Sequence, residues 1–212
     1  MRPVSRRHRI LSAAGTGVAA LALLTGCATP GTGTAGDAPA GAATPPAPPA
    51  GEVIAQGTVM DVGGDVELCL AGVAESYPPQ CSGLPMTGWS WEGVDGAETA
   101  GEVTWGAYAV QGLYDGESFT VREHPIVLAL YDPMAPADPT GGEPGTSDEA
   151  TLATIQDESI AVFGEDFLSS WTRDGWLWVQ VVWDDGSWQR VVDELYGDGV
   201  VVIVSALQAV EG

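Results

Sequence analysis

Short apolar runs separated by glycine-containing turns fill the chain from Gly51 onward, and they constrain its fold more than any other feature. The runs "GEVIAQGTVMDV" and "DVELCLAGV" flank Gly63-Gly64, and "VTWGAYAVQGLY" and "SFTVREH" flank Asp115-Gly116. Each pair predicts a β-hairpin. The run "PMTGWSWEGV" between them is typical of a further strand. Five short strands over residues 51–131 predict a small antiparallel β-barrel of OB-like or SH3-like type, because closure removes exposed strand edges.

The rest of the chain predicts a mixed layer. Residues 132–148 are rich in proline and glycine, which favours a linker or a long surface loop. A capping-box spacing at Thr146 and Glu149 opens a helical apolar pattern. The runs "DFLSSW" and "WLWVQVVW" indicate a hairpin, "WQRVVDELYG" a helix, and "VVVIVSAL" a central buried strand. Residues 149–212 are therefore predicted to form an α-β-β-α-β layer, which makes the fold class α+β.

The N-terminus has the pattern of an export signal. Four arginines precede a short apolar run rich in small residues, which predicts a signal peptide over residues 1–26 rather than a membrane-spanning helix. The run ends in Leu24-Thr25-Gly26-Cys27, which resembles the lipobox of bacterial lipoproteins. The resemblance implies cleavage after Gly26 and a fatty-acyl (palmitate) anchor on Cys27. The alternative is an ordinary secretory signal followed by an incidental cysteine.

Proline, alanine and glycine dominate residues 27–50, which predicts a disordered tether behind the lipidated cysteine. Such a tether would hold the folded part away from the lipid. The expected location is the extracytoplasmic face of the cell membrane, because a diacyl anchor gives stable attachment.

The two remaining cysteines, Cys69 and Cys81, bracket a loop that contains Pro78-Pro79. An even pair in an exported chain predicts a disulfide, with two free thiols as the alternative. A zinc site is not expected, because two cysteines and one histidine after the signal are too few ligands. No other metal and no cofactor is expected.

The charge of the chain restricts its partners. The formal net charge is -22 and the sequence contains no lysine. After residue 26, three arginines stand against 29 acidic residues, a net charge of −26. Nucleic-acid binding is therefore excluded, because it requires basic side chains that neutralise phosphates. Mutual repulsion between copies of the chain favours a monomer.

The segment "LCLAGVAESYPPQC" with the following "GWSW", together with the terminal "YGDGVVVIVSALQ", resembles a group of exported lipoproteins of actinobacteria. The resemblance covers Gly57 to Leu207. It implies an intact folded unit at the cell envelope and carries no activity with it.

Tryptophans supply the candidate ligand-binding residues. Trp89 and Trp91 lie two positions apart on the predicted third strand and would point to one face, with Trp105 on the next strand. These three residues predict an aromatic platform for a sugar ring or a peptide. The alternative is that the same side chains fill the barrel core.

These observations predict a non-catalytic binding module at the cell envelope, with a glycan, peptide or protein as partner. No catalytic residue is assigned. The alternative is a carboxylate-dependent hydrolase acting on cell-wall glycan or peptide, for which Asp184-Asp185 and Asp193-Glu194 are candidate pairs. Aspartate pairs are also common in turns. A cleft that holds two carboxylates, one with a raised pKa, would favour the hydrolase.

Overall fold

The computed structural model describes residues 45–132 and 138–210. The predicted signal peptide, Cys27, the tether as far as residue 44 and residues 133–137 of the predicted linker lie outside this part. The described residues form one compact unit with eleven strands and two α-helices: β1 (Val53–Val62), β2 (Asp65–Cys69), β3 (Leu84–Thr87), β4 (Glu98–Ala100), β5 (Val103–Tyr114), β6 (Phe119–Val121), β7 (Ile126–Val127), α1 (Glu149–Phe163), β8 (Phe167–Arg173), β9 (Trp176–Val181), α2 (Ser187–Tyr196), β10 (Val201–Ser205) and β11 (Gln208–Ala209).

Five strands close into a barrel. The two long strands β1 and β5 pair antiparallel from Val53↔Gly112 to Val62↔Val103, and β1 also pairs with β2. The ring continues from β2 to β3, from β3 to β6 and from β6 back to β5. Closed pairing leaves these strands without a continuous free edge, as the sequence predicted.

One pairing in the ring corrects the prediction of a fully antiparallel barrel. Strands β3 and β6 run parallel, with Met86 opposite Phe119. Parallel neighbours require a long connection, and residues 88–118, which include β5, supply it. The barrel is therefore mixed, and the α+β fold class is confirmed.

The barrel interior is filled from alternate positions of its strands, because successive side chains of a strand point to opposite faces. Tyr108 and Phe119 are the largest fully buried side chains in it. Gly106 lies directly against Tyr108, and a Cβ at this glycine would collide with the tyrosine hydroxyl. That hydroxyl donates a hydrogen bond of 2.9 Å to the carbonyl oxygen of Asp95.

The second sheet has the order β10-β9-β8 and carries both helices on one face. The predicted sequence of elements, α-β-β-α-β, is confirmed. Strand β10 is at an edge, however, and β9 is central, so the prediction of a central last strand is wrong. The apolar run resembles a central strand because both faces of β10 contribute to hydrophobic cores. Val201 packs with the helices and Val202 with Trp178.

One side chain of α2 bonds two backbone groups on the outer edge of β10. The Gln189 amide of α2 donates a 3.0 Å hydrogen bond to the carbonyl oxygen of Val201, and its oxygen accepts one of 3.0 Å from the Ile203 N–H. On the opposite edge, Gln156 of α1 donates to the carbonyl oxygen of Ser170 in β8. Both helices therefore contact the sheet through side-chain hydrogen bonds to the strand backbone as well as through apolar packing.

The barrel and the second sheet share a core. Val182 and Leu207 are buried among the interior residues of the barrel, although they follow β9 and β10. After Leu207 the chain adds β11 to β1 by pairing Ala209 with Val53. No helix among the described residues is long and apolar enough to cross a membrane.

The last residues of the predicted tether contact the folded part. The indole N–H of Trp183 donates a hydrogen bond of 3.0 Å to the carbonyl oxygen of Ala47. The Ala47 N–H donates one of 3.1 Å to the carboxylate of Asp185. Ala47 lies between two prolines on either side, so it provides the one backbone N–H in residues 45–49. Folded contacts therefore begin before Gly51.

The structure contains a disulfide between Cys69 and Cys81. We expect the paired change Cys69→Ser with Cys81→Ser to destabilise the protein by about 2–5 kcal/mol, because this bond restricts the unfolded chain. Thermal unfolding of the purified, oxidised protein, with and without reductant, measures the effect. The serine variant should melt at the same lower temperature in both conditions. Equal melting temperatures for the wild type with and without reductant would contradict this expectation.

Candidate functional site

A disulfide places a loop over the outer surface of the barrel. Cys69 is opposite Thr58 in the β1–β2 ladder, and its neighbour Leu68 points into the barrel interior. Cys69 therefore faces outward. It is bonded to Cys81, with the two Cα atoms 6.2 Å apart, which confirms the predicted disulfide. The intervening segment, residues 70–80, is consequently held against the outside of the barrel rather than extending into solvent.

Hydrogen bonds within this segment, the disulfide loop, order its tip. Ala74 donates its N–H to the carbonyl oxygen of Gln80 at 2.8 Å, and Ser76 donates its N–H to the carbonyl oxygen of Ala74 at 2.8 Å. The Ser76 hydroxyl donates to the carbonyl oxygen of Pro78. These bonds close a tight turn that displays Tyr77, whose side chain is 76% exposed. Tyr77 is therefore an exposed aromatic ring held on an ordered loop.

Beneath the tip lies Trp105. Its ring and the ring of Tyr77 are perpendicular, with centroids 5.6 Å apart. Trp105 sits on the outward face of β5, directly opposite Met60 of β1 and Glu98 of β4. Met60 is nearly fully buried although it lies on the outside of the barrel.

An open groove of about 510 Å³ lies between the disulfide loop and the barrel wall. We call it the Tyr77 groove; its lining residues include Thr58, Val73, Glu75, Tyr77, Glu98 and Trp105. Two carboxylates and two aromatic rings thus face one concave surface. None of the described residues that line it is basic.

Trp89 and Trp91 occupy a different place from the predicted one. Strand β3 ends at Thr87, and Gly88, with φ of 74°, turns the chain, so both tryptophans lie in a loop rather than on a strand. Their rings are perpendicular, and both pack against Tyr108 of the barrel interior.

These two tryptophans pack against the core at one end of the barrel. Both are half-buried against the core residues of the barrel. The Trp91 indole N–H donates to Asp61 at 2.9 Å, whereas that of Trp89 is buried without an acceptor among the described residues. Trp105 belongs to the Tyr77 groove instead, so the predicted group of three tryptophans is divided between two locations.

The carboxylates of the Asp184-Asp185 pair, considered for catalysis, accept hydrogen bonds from backbone groups. Asp184 accepts the N–H of Trp188 at 2.8 Å, at the start of α2. Asp185 accepts hydrogen bonds from Ser187 and Ala47, and these bonds lower the pKa of its carboxyl group. In the β5–β6 turn, backbone N–H groups that donate to Asp115 lower the pKa of that carboxyl group in the same way. Bonds of this kind stabilise the ionised form and order the turns.

Burial raises the pKa of the Asp166 carboxyl group. Asp166 ends a 3-10 turn, Gly164–Asp166, between α1 and β8. It is absent from the lining of the Tyr77 groove.

The sequence predicted the disulfide, which the structure contains, and named Trp105 as a candidate residue, but it did not predict Tyr77 or the groove. The available signal was the position of Tyr77 directly before Pro78-Pro79, inside a segment bounded by two cysteines. That pattern indicates a restrained loop with an aromatic tip. It contains no information on which surface the loop covers, because that depends on the β1–β2 register.

We expect the double change Trp89→Ala with Trp91→Ala to destabilise the protein by about 3 kcal/mol or more, since both rings fill the barrel end. The matched control Tyr77→Ala removes an exposed ring and should change the free energy of unfolding by less than about 1 kcal/mol. Urea denaturation measures both. A double variant with the urea midpoint of the wild type would show that the two tryptophans are not part of the core.

Comparison of the chain with protein-family models, with curated proteins and with solved structures finds no match. The resemblance to actinobacterial exported lipoproteins therefore stays a prediction from the sequence motifs. The candidate function is argued from the Tyr77 groove and from the residues that build it.

Proposed function

We propose that the protein is a lipid-anchored, extracytoplasmic binding module and that the Tyr77 groove is its ligand-binding surface. One observation carries the proposal: Tyr77 is displayed to solvent on a loop that is covalently fixed above Trp105. Exposing an aromatic ring costs the apolar burial that the same residue could contribute to the core. Ordering that ring with a disulfide and several hydrogen bonds provides a rigid surface for a partner.

The Cys69–Cys81 bond also supports export. Disulfides of this kind persist in oxidising compartments and are rare in the cytosol. Together with Leu24-Thr25-Gly26-Cys27, the bond supports an anchor on Cys27 that holds the folded part at the extracytoplasmic face of the membrane.

The strand order supports an OB-type barrel rather than an SH3-like one. The five ring strands follow the order first, second, third, fifth, fourth, and the third and fifth are parallel. A Greek-key barrel of this kind is a common scaffold for ligand-binding modules. The fold alone names no ligand, so the groove remains the basis of the proposal.

A binding role is favoured over hydrolysis. The Asp184 and Asp185 carboxylates bind the first backbone N–H groups of α2, which gives both of them a structural purpose. In the second candidate pair, the Asp193 carboxylate accepts a hydrogen bond from the side-chain amide of Gln189 at 2.9 Å.

We expect Cys27→Ser to abolish labelling by fatty acid and to release the protein from the membrane fraction or stall signal cleavage, because the thiol is the site of acylation. Metabolic labelling with a fatty-acid analogue, followed by cell fractionation, measures both effects. The variant Cys69→Ser with Cys81→Ser is the control and should remain labelled. Persistent labelling of the Cys27→Ser protein would overturn the anchor.

Site-specific photocrosslinking tests the groove in intact cells. A benzophenone amino acid at Val73, on the groove, should form an adduct, whereas one at Ile160, on the exposed face of α1, should not. Both positions are exposed apolar residues, which makes them a matched pair. Adding Tyr77→Ala should abolish the Val73 adduct. Equal adducts from both positions, or none from Val73, would overturn the groove as the ligand-binding surface.

A further inference from the structure

We propose that the Tyr77 groove binds an organic cation, the guanidinium or ammonium group of a basic side chain on an extended polypeptide partner. The inference rests on the proposed binding function and adds the chemical class of the ligand. It combines the charge of the groove, the arrangement of its aromatic rings and the openness of its shape.

The charge of the groove is negative and uncompensated. Glu75 and Glu98 line it, and no described lining residue is basic. The one ion pair among the described residues joins Arg173 to Asp138, so neither groove glutamate has a cationic partner there. A chain with a net charge of -22 also attracts cations over a long range, which favours their encounter with the groove.

The aromatic rings provide the second element of recognition. Because the rings of Tyr77 and Trp105 are perpendicular, they form a corner in which a cation can contact a ring face. The face of an aromatic ring carries negative charge density and attracts guanidinium and ammonium groups. The same protein makes this contact internally, since the Arg173 guanidinium lies 4.1 Å from the ring centre of Trp178.

Glu98 places a negative charge beside the corner formed by the two rings. It is the cross-strand neighbour of Trp105, so its carboxylate projects from the same face of the sheet as the indole. Glu75, in the disulfide loop, lines the same groove. A cation held between them would gain both a charge interaction and an aromatic contact, which a neutral or anionic ligand would not.

The shape of the groove favours a side chain of a polypeptide over a free small cation. Small-molecule sites usually bury most of their ligand. Here Tyr77 stays largely in solvent, so a free cation would remain widely exposed. A polypeptide can place one side chain in the groove while its neighbours contact the surrounding barrel surface.

Little ordering is required on binding. The Cys69–Cys81 bond and the turn at Ser76 hold the disulfide loop in place before any ligand arrives. Preorganised surfaces bind more tightly because the entropy of ordering is already spent in folding.

The test is calorimetric titration of the full-length, detergent-solubilised protein with two acetylated, amidated pentapeptides. One has arginine between glycines, and the other has citrulline, its uncharged isostere, at the same place. We expect at least about tenfold tighter binding of the arginine peptide, which corresponds to the ~1.4 kcal/mol of one tenfold step. Tyr77→Leu should weaken its binding about fivefold, the effect of one exposed cation–π contact.

Charge variants separate the groove from the general acidity of the chain. Glu75→Gln and Glu98→Gln should each weaken binding of the arginine peptide severalfold. The control Glu165→Gln removes the same charge from the turn before β8 and should leave the affinity unchanged. Equal losses from all three variants, or equal affinities for the arginine and citrulline peptides, would overturn the inference.

Spermidine serves as the free-cation probe. Binding of spermidine with no binding of the arginine peptide would overturn the choice of a polypeptide partner. A Val73 adduct that depends on Tyr77, found together with no preference for arginine over citrulline, would leave the proposed function standing and reject only the cationic ligand. Loss of the adduct itself would reject the proposed function.

Discussion

The antiparallel ladder between β1 and β5 is the interaction on which the rest of the structure depends. Ten residues of β1 pair with ten of β5, and each strand then recruits its other neighbours. The register also decides which side chains face outward, because a shift by one residue would reverse every one of them. Thr58, Met60 and Trp105 are outside for this reason, and the disulfide loop covers that outer face.

Local signals in the sequence predicted the local structure well. The turns at Gly63-Gly64 and Asp115-Gly116 join the strands as expected, and α1 ends at Phe163 before Gly164. The start of α1 shows how small differences arise: the Asp148 carboxylate accepts the N–H of Thr151, in place of the predicted box formed by Thr146 and Glu149. Several acidic and hydroxyl residues near a helix start can each act as the N-cap, so the sequence alone does not decide which one does.

Long-range pairing could not be derived in the same way. The parallel contact of β3 with β6 joins segments more than thirty positions apart in the sequence, and no local pattern encodes it. The edge position of β10 was missed because its apolar residues face two cores. Trp89 and Trp91 were assigned to a strand because their spacing of two fits one, whereas Gly88 ends the strand before them. The Tyr77 groove could not be predicted for the same reason, because contacts between segments distant in the sequence form it.

The amide of Gln189 limits pairing between copies of the protein. An open strand edge can recruit the strand of a neighbouring molecule. In β10 the carbonyl oxygen of Val201 and the N–H of Ile203 are already bonded to that single side chain. A strand that arrived at this edge would have to displace the glutamine, so edge-to-edge association is opposed by one residue of the protein's own helix.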